Sequence, residues 1–151
     1  MSDRFVHQHL PYLLARASHA LWRGFEPQLR EAGLNSLEWR VLATLSDSEP
    51  LPVGQLAREV LAQQPTVTKT LDRLVAQGWI ERRADAADAR RARVALTPAG
   101  RQHVAPLLVA ARQHETQRLN DLGAADMDRM RDALRALVAH FDDGDGNAPP
   151  R

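Results

Sequence analysis

The chain contains no cysteine, which excludes disulfide bridges, zinc sites with thiolate ligands and redox sensing by a thiol. The short motifs of common enzymes are missing as well: there is no Gly-x-Ser-x-Gly, no His-Glu-x-x-His and no glycine-rich phosphate loop. We therefore expect a protein that is not an enzyme and that needs no cofactor.

Long hydrophobic runs are also missing. No segment approaches the roughly twenty apolar residues that a membrane-spanning helix needs, and the apolar patch over residues 10–15 is short and is not followed by a cleavage site. The 151 residues, 44% hydrophobic and 26% charged, have the composition of a globular domain with its own core. These features predict a cytoplasmic protein with no membrane partner.

The histidines do not form a metal-binding pattern. His7 and His9 lie at an end of the chain where fraying is expected, with no carboxylate at a known metal-site spacing. His103 and His114 are about three helical turns apart on one predicted helix, too far to hold one ion. We expect no metal site.

Charge is balanced overall but clustered locally. The net charge is only +1, yet nucleic-acid binding depends on where charges lie rather than on their sum. Between Glu81 and Arg93, five arginines stand against three acidic residues, whereas the chain after Leu119 is rich in acids. One surface of the protein is therefore predicted to be basic.

The spacing of apolar residues predicts a mainly α-helical protein with a small β-ribbon wing. A long helix, bent by Pro27 in its C-terminal part, is predicted over 5–32 and ended by Gly33. A second helix begins after Asn35, where Glu38 completes a capping box. The remaining predictions are a polar turn over 46–52, a short helix over 53–60, a helix over 65–77, a two-stranded ribbon from Trp79 to Leu96, a long helix that Thr97 caps and Pro98 begins, and a last helix that ends near residue 142.

Between Leu56 and Gly100 these elements follow the order of a winged helix-turn-helix. The helix over 65–77 is about 20 Å long, enough to lie in the major groove of DNA. Its predicted core side consists of Val67, Leu71, Leu74 and Val75. Its opposite side carries residues that can hydrogen-bond to bases or phosphates: Gln64, Thr66, Thr68, Lys69 and Arg73. The alternative is an ordinary amphipathic helix with a solvated polar face.

In the ribbon, Arg90 and Arg91 lie near the predicted turn, and Asp88 is close enough to orient one of them. An arginine at such a tip can enter a narrow minor groove, where the negative potential is enhanced. On the returning strand, Arg93 and Ala95 are predicted to face outward. The alternative for this segment is a solvated run of charges.

Four segments together form a distinctive pattern. They are Gln-Pro-Thr-Val-Thr-Lys-Thr-Leu-Asp-Arg-Leu at 64–74, Gly-Trp-Ile-Glu-Arg at 78–82, Asp-Ala-Arg at 88–90 and Val-Ala-Leu-Thr-Pro-Ala-Gly at 94–100. In these segments the chain resembles the MarR (multiple antibiotic resistance regulator) family of bacterial transcription factors, and the resemblance covers essentially its full length. The resemblance implies a dimer in which the recognition helix and wing of each subunit meet successive DNA grooves.

The same resemblance assigns the DNA-binding residues to the recognition helix and the wing. They are Gln64, Thr66, Thr68, Lys69, Arg73, Asp88 and Arg90. Pro65 in the first turn of the helix and Arg91 near the wing turn complete the predicted DNA-binding set. Arg90 matches the minor-groove arginine of the family, which Asp88 positions. Gln63 departs from the family pattern, since a serine or another strong helix cap is common there, so the start of the recognition helix is expected to be less rigid.

The terminal helices give a separate reason to expect a homodimer. Their apolar faces have no sheet to cover, and such arms are usually buried against a symmetric partner. Two recognition helices related by a twofold axis require double-stranded DNA with an inverted repeat. The predicted organisation is a helical dimerisation arm over 1–34 and 101–142, a winged helix-turn-helix over 35–100 and a disordered tail over 143–151.

A ligand site is implied by the resemblance as well, because similar proteins often bind small aromatic or phenolic acids between the arm and the DNA-binding domain. The candidates here are His19, Trp22, Arg23, Trp39, Arg40 and His103, a set that could stack on a ring and pair with a carboxylate. The structural alternative makes Trp39 part of the core and Arg40 part of an ion pair.

These features predict a homodimeric transcriptional repressor that leaves its inverted-repeat operator when a small ligand, such as an aromatic acid, binds. Three alternatives stay open: a regulator without a ligand, an activator of the same fold, and a protein-interaction module that only retains the winged shape.

Overall fold

The structure is a computed structural model that describes residues 4–88 and 91–145. The helices are α1 (Leu10–Trp22), α2 (Glu26–Glu31), α3 (Ser36–Ser46), α4 (Val53–Glu59), α5 (Gln64–Ala76), α6 (Pro98–Leu119) and α7 (Ala124–Asp145). The strands are β1 (Leu51–Pro52), β2 (Ile80–Ala84) and β3 (Ala92–Leu96), and a 3₁₀ turn over Phe5–His7 precedes α1. The predicted fold class, mainly α with a small β-sheet, is confirmed.

The single helix predicted over 5–32 is wrong, because the chain leaves the helical path between α1 and α2. Pro27 explains the break, since proline has no N–H to donate and its ring crowds the carbonyl one turn earlier. Proline is well tolerated in a first helical turn, and Pro27 occupies that position in α2. Gly33, with a φ of 74°, follows α2 in the left-handed conformation, as predicted.

The start of α3 is the predicted capping box. The Asn35 side-chain oxygen accepts hydrogen bonds from the backbone N–H groups of Leu37 at 3.0 Å and Glu38 at 2.9 Å. In return, Glu38 Oε2 accepts the backbone N–H of Asn35 at 2.7 Å. Three donors at the start of the helix are thereby satisfied by two side chains.

The sheet has three antiparallel strands in the order β1-β3-β2. The predicted two-stranded ribbon is present as β2 and β3, and β1 is an additional strand that was not predicted. β1 falls in the segment predicted as a polar turn, and its two residues are too few to show an alternating pattern. Leu51 of β1 is buried and pairs with Val94 of β3. On the other side of β3, Ile80 of β2 pairs with Leu96.

The core lies among α2 to α5, the sheet and the N-terminal half of α6. Its largest fully buried side chains are Leu29, Leu42, Leu45, Leu56, Leu71, Leu74, Ile80, Val41, Val60, Val67, Val94 and Val104. Two predicted orientations are wrong. Val75 is 37% exposed, because it points about 100° away from the buried Leu74 beside it. Ala95 is buried, because its small side chain lies on the central strand with the longer Glu81 directly opposite.

Tight contacts join the end of α5 to the start of α6. Gly78, with a φ of 75°, follows α5 in the left-handed conformation. Thr97 caps α6 as predicted, since its Oγ1 accepts the backbone N–H of Gly100 at 3.0 Å. The same hydroxyl donates to the carbonyl of Gly78 at 2.6 Å, so one side chain serves both helix ends.

The chain divides into two compact units, residues 1–114 and 115–151. The second unit contains α7, which continues to Asp145; the rest of the predicted tail, 146–151, lies outside the described residues. In the described part of the chain, no helix is long and apolar enough to cross a membrane.

Candidate DNA-binding surface

The helix-turn-helix consists of α4, a short turn and α5. Leu56 and Ala57 of α4 and Val67 of α5 are buried, so the two helices share the core. Between them, Leu61 has a φ of 56° and is 82% exposed. The left-handed conformation of Leu61 makes the turn between α4 and α5 tight. α5 packs its Val67 side into the core, and its opposite side faces solvent.

The predicted polar side of α5 is exposed throughout. Every residue assigned there lies on the surface: Gln64, Pro65, Thr66, Thr68, Lys69 and Arg73. Pro65 sits in the first turn, where its missing N–H costs nothing. Gln63 is the N-cap, and its side chain makes no capping hydrogen bond, as its departure from the family pattern suggests.

The polar residues of α5 differ in how firmly they are held. Thr68 donates its hydroxyl to the carbonyl of Gln64 at 3.0 Å, which leaves its oxygen lone pairs as acceptors. Lys69 makes no ion pair with any described residue, so its ammonium is available to an anion. Thr70, which sequence reasoning did not single out, is buried and donates to the carbonyl of Thr66 at 3.1 Å.

Arg73 differs from the other residues of this side because it forms an ion pair with a buried acid. Its Nε lies 2.7 Å from Oε1 of Glu38, whose side chain is only 3% exposed, whereas the Arg73 side chain is 55% exposed. Sequence reasoning assigned Glu38 to the capping box alone. No local pattern could have shown the second contact, because α3 and α5 are distant in sequence.

The base of the wing is held by Asp85 and Arg93. Arg93 donates from Nε to Asp85 Oδ2 at 2.8 Å and from Nη1 to the carbonyl of Pro50 at 3.0 Å. The Arg93 side chain is 42% exposed, in agreement with the predicted outward orientation, but its guanidinium is paired within the protein. The backbone N–H of Ala87 and then the Arg93 guanidinium hold the pKa of Asp85 below its ordinary value of 3.8.

The tip of the wing is described only in part. Arg91 Nε lies 3.8 Å from Asp88 Oδ2, and the Arg91 side chain is 75% exposed. Arg90, the predicted minor-groove residue, lies outside the described residues, so the predicted role of Asp88 in positioning it stays a prediction.

The remaining arginines of the basic segment are paired with carboxylates. Arg82 donates to Asp72 of α5 at 2.6 Å, and Arg83 donates from Nε to Glu81 at 2.7 Å. Because these ion pairs are exposed, each contributes little to stability. Arg82 nevertheless ties the first strand of the wing to the recognition helix, a contact that the sequence did not indicate.

Three of the candidate ligand residues take part in aromatic contacts. Trp22 and Trp39 both contact Phe25, with ring centroids 5.9 and 5.5 Å apart. Phe25 also contacts His114, at 5.8 Å, and neither residue was among the sequence-based candidates. Phe25 and Trp39 are buried, which favours the structural alternative for Trp39.

His103 makes a different aromatic contact. Its ring stacks on Trp79 with centroids 3.8 Å apart, and its Nε2 lies 3.1 Å from the carbonyl of Ala32. His19 and Arg23 are exposed. Arg40 is the notable member of the set, because its Nε is buried and has no hydrogen-bond partner in the described structure.

No cluster of three histidine or carboxylate side chains suited to a metal ion occurs among residues 4–88 and 91–145.

Comparisons with known proteins agree with this architecture. The family model described as the MarR family matches residues 32–91. The MarR family transcriptional regulator SPO1453 from Silicibacter pomeroyi DSS-3 is 37% identical, with a TM-score of 0.81 over 92% of this chain and 99% of that one. NadR, crystallised in complex with 4-hydroxyphenylacetate, is 26% identical, with a TM-score of 0.81 over 91% of this chain and 97% of that one.

A curated relative adds a functional name. The HTH-type transcriptional repressor IacR from Pseudomonas putida is 24% identical over 142 residues, which are 93% of this chain and 85% of that protein. The winged helix-turn-helix geometry and these likenesses confirm a regulator rather than an enzyme. The chain belongs to the MarR family of DNA-binding transcriptional regulators.

Proposed function

We propose that this protein is a homodimeric repressor that binds an inverted-repeat operator and leaves it when a small aromatic acid binds. The observation that carries the proposal is the exposed polar side of α5. There Lys69 has no carboxylate partner among the described residues, and Thr66 and Thr68 lie within one turn of it.

Contact with DNA is proposed for this side of α5 because its dimensions and chemistry suit the major groove. Its 13 residues span about 20 Å. Near its N-terminus, Gln64 and Thr66 offer groups that can hydrogen-bond to base edges, while Lys69 can pair with a phosphate. Arg91, largely exposed at the wing, and Arg90 are proposed to reach the adjacent minor groove.

Dimerisation is proposed because α1 and α7 expose apolar side chains at helical spacing. Met130, Leu134, Val138 and Phe141 lie on one side of α7, and each is more than a third exposed. Leu10, Leu13 and Leu21 are similarly exposed on α1. Water-exposed apolar surface of this kind favours burial against a second copy.

An aromatic acid is proposed as the ligand on two grounds. The buried Arg40 Nε lacks a partner among the described residues, and a carboxylate would satisfy it. The partly buried Trp22 ring, beside Phe25, provides a surface on which an aromatic ring can stack. The complex of the relative NadR with 4-hydroxyphenylacetate supports this ligand class. Such a ligand releases DNA only if it binds more tightly to a dimer whose two α5 helices are wrongly spaced.

Operator binding can be tested by fluorescence anisotropy. The purified protein is expected to prefer an inverted repeat from upstream of its own or a neighbouring gene over random DNA of equal length at moderate salt. Equal affinity for both DNAs would refute operator recognition. Reporter expression that rises rather than falls on deletion of the regulator gene would support repression, and the reverse result would indicate an activator.

Ligand release can be tested with a panel of phenolic and benzoic acids that includes 4-hydroxyphenylacetate. At least one compound is expected to raise the melting temperature and lower operator affinity, and Arg40→Met should weaken both effects. A panel that changes neither quantity would argue for a regulator without an aromatic ligand.

A further inference from the structure

Glu38 is a buried carboxylate with both oxygens occupied. Oε2 accepts the backbone N–H of Asn35 at 2.7 Å, and Oε1 lies 2.7 Å from Arg73 Nε. An ionised carboxylate out of contact with water is costly unless it is paired, and removing its partner leaves an uncompensated charge. The buried Glu38 carboxylate therefore fixes the position of the Arg73 guanidinium.

Arg73 is held at one end only. A guanidinium has five N–H donors, and the contact with Glu38 uses the one on Nε. Its side chain remains 55% exposed, so the four donors on the terminal nitrogens are available to another partner. Arg73 follows Thr66 and Lys69 at spacings of seven and four residues, which places all three on the same side of α5.

From this geometry we propose that Glu38 is a positioning residue for DNA binding. It holds Arg73 through Nε and directs the terminal guanidinium nitrogens to a phosphate of the operator. This inference rests on the proposed contact between α5 and DNA. It goes further by assigning Arg73 to a phosphate rather than to a base, and by giving a residue of the α3 capping box a role in affinity.

Another glutamate–arginine pair of the chain provides a matched control. Glu26 and Arg30 of α2 are 2.8 Å apart, close to the 2.7 Å of the Glu38–Arg73 pair, but both side chains are more than half exposed. The substitutions Glu26→Gln and Arg30→Ala change the net charge by the same amounts as Glu38→Gln and Arg73→Ala. Any effect of overall charge on DNA binding is therefore measured by the control pair.

The experiment measures operator affinity as a function of salt for the full-length protein and its variants. Arg73→Ala removes one phosphate contact from each subunit of the dimer, so it is expected to reduce the salt slope by about two and to weaken operator binding about thirtyfold at 0.15 M salt, the counterion-release share of two phosphates. Glu38→Gln keeps an acceptor for the Asn35 N–H, because glutamine also forms a capping box. It should weaken binding severalfold, but add no further loss when Arg73 is already alanine.

Three results would overturn the proposal. They are an unchanged salt slope in Arg73→Ala, binding of Glu38→Gln that is no weaker than that of Glu26→Gln, and an independent loss from Glu38→Gln in the Arg73→Ala background. Should Glu38→Gln not fold, Arg73→Lys replaces it; wild-type affinity in that variant also overturns the proposal, because lysine lacks the Nε donor. Lys69→Ala distinguishes failure of this inference from failure of the proposed function. An unchanged salt slope in Lys69→Ala would refute the contact between α5 and DNA itself.

Discussion

A β-carbon at residue 100 would collide with the carbonyl group of Trp79. The first turn of α6 therefore rests directly on the backbone that follows α5, at a separation that only glycine permits. The Trp79 carbonyl also accepts the backbone N–H of Thr97 at 3.0 Å, so this backbone contact fixes where the wing meets the long helix.

Gly100→Ala is expected to destabilise the protein by about 1–3 kcal/mol, because backbone atoms must move to admit the new methyl group. Urea unfolding measures the change. Gly54→Ala is the control, since its β-carbon would meet only Gln64 Oε1 at 3.5 Å and its φ is ordinary. Equal stability of the two variants would show that the Trp79 backbone can move to admit a β-carbon at residue 100 without loss of stability.

Leu61 is expected to be a site where substitution stabilises the fold. Its left-handed conformation costs roughly 1–2 kcal/mol for a residue with a β-carbon, and replacement by glycine costs about 0.4–1 kcal/mol through the unfolded chain. Leu61→Gly should therefore gain up to about 1 kcal/mol in urea unfolding. Gly78→Ala, the reverse change at a φ of 75°, should lose a similar amount. A destabilised Leu61→Gly variant would mean that the exposed leucine has a contact of its own.

Asp85 is expected to titrate below its ordinary pKa of 3.8, mainly because the Ala87 N–H and secondarily because Arg93 stabilise its charged form. Since the folded pKa is lowered, the stabilising contribution is present above the unfolded pKa and is lost as pH falls through the folded one. Carboxyl-carbon NMR gives the titration midpoint. Arg93→Ala should raise that midpoint only partly, because the Ala87 hydrogen bond remains. A midpoint at or above 3.8 in the wild type would contradict the arrangement.

Substitution of Val138 and Phe141 together by glutamate should dissociate the proposed dimer, because charge would replace exposed apolar groups of α7. Sedimentation velocity is expected to show a monomer that binds a single half-site weakly. The matched control is the double substitution Ala133→Glu and Ala136→Glu, which adds the same charge to α7 at other exposed positions. A monomeric wild type would refute the dimer.

Local features of the fold could be predicted because their signals are short-range. The capping box of Asn35 and Glu38, the left-handed Gly33 and Gly78 and the Thr97 cap each depend on residues within a few positions. They are all present in the structure. The MarR family was recognised on the same basis, from motifs whose residues are close together in sequence.

Contacts between distant segments could not be predicted. The sequences of α3 and α5 give no sign that Arg73 pairs with Glu38, because each residue has an adequate local explanation. Glu38 completes the capping box, and Arg73 lies on the polar side of α5. The same holds for the stacking of His103 on Trp79. β1 was missed since two residues carry no periodicity. Contacts between distant segments thus determine which polar side chains of the candidate DNA-binding surface are fixed by protein partners and which are available to DNA.

The capping box of α3 has a consequence for the order of folding. Glu38 is oriented by a partner only three residues away, so its carboxylate is in place as soon as the first turn of α3 forms. We expect α5 to dock later, onto an acceptor that already exists. Folding kinetics would show this as a φ-value near one for Asn35→Ala and a lower value for Arg73→Ala. The carboxylate that orients the recognition helix would then be in place before that helix docks against α3.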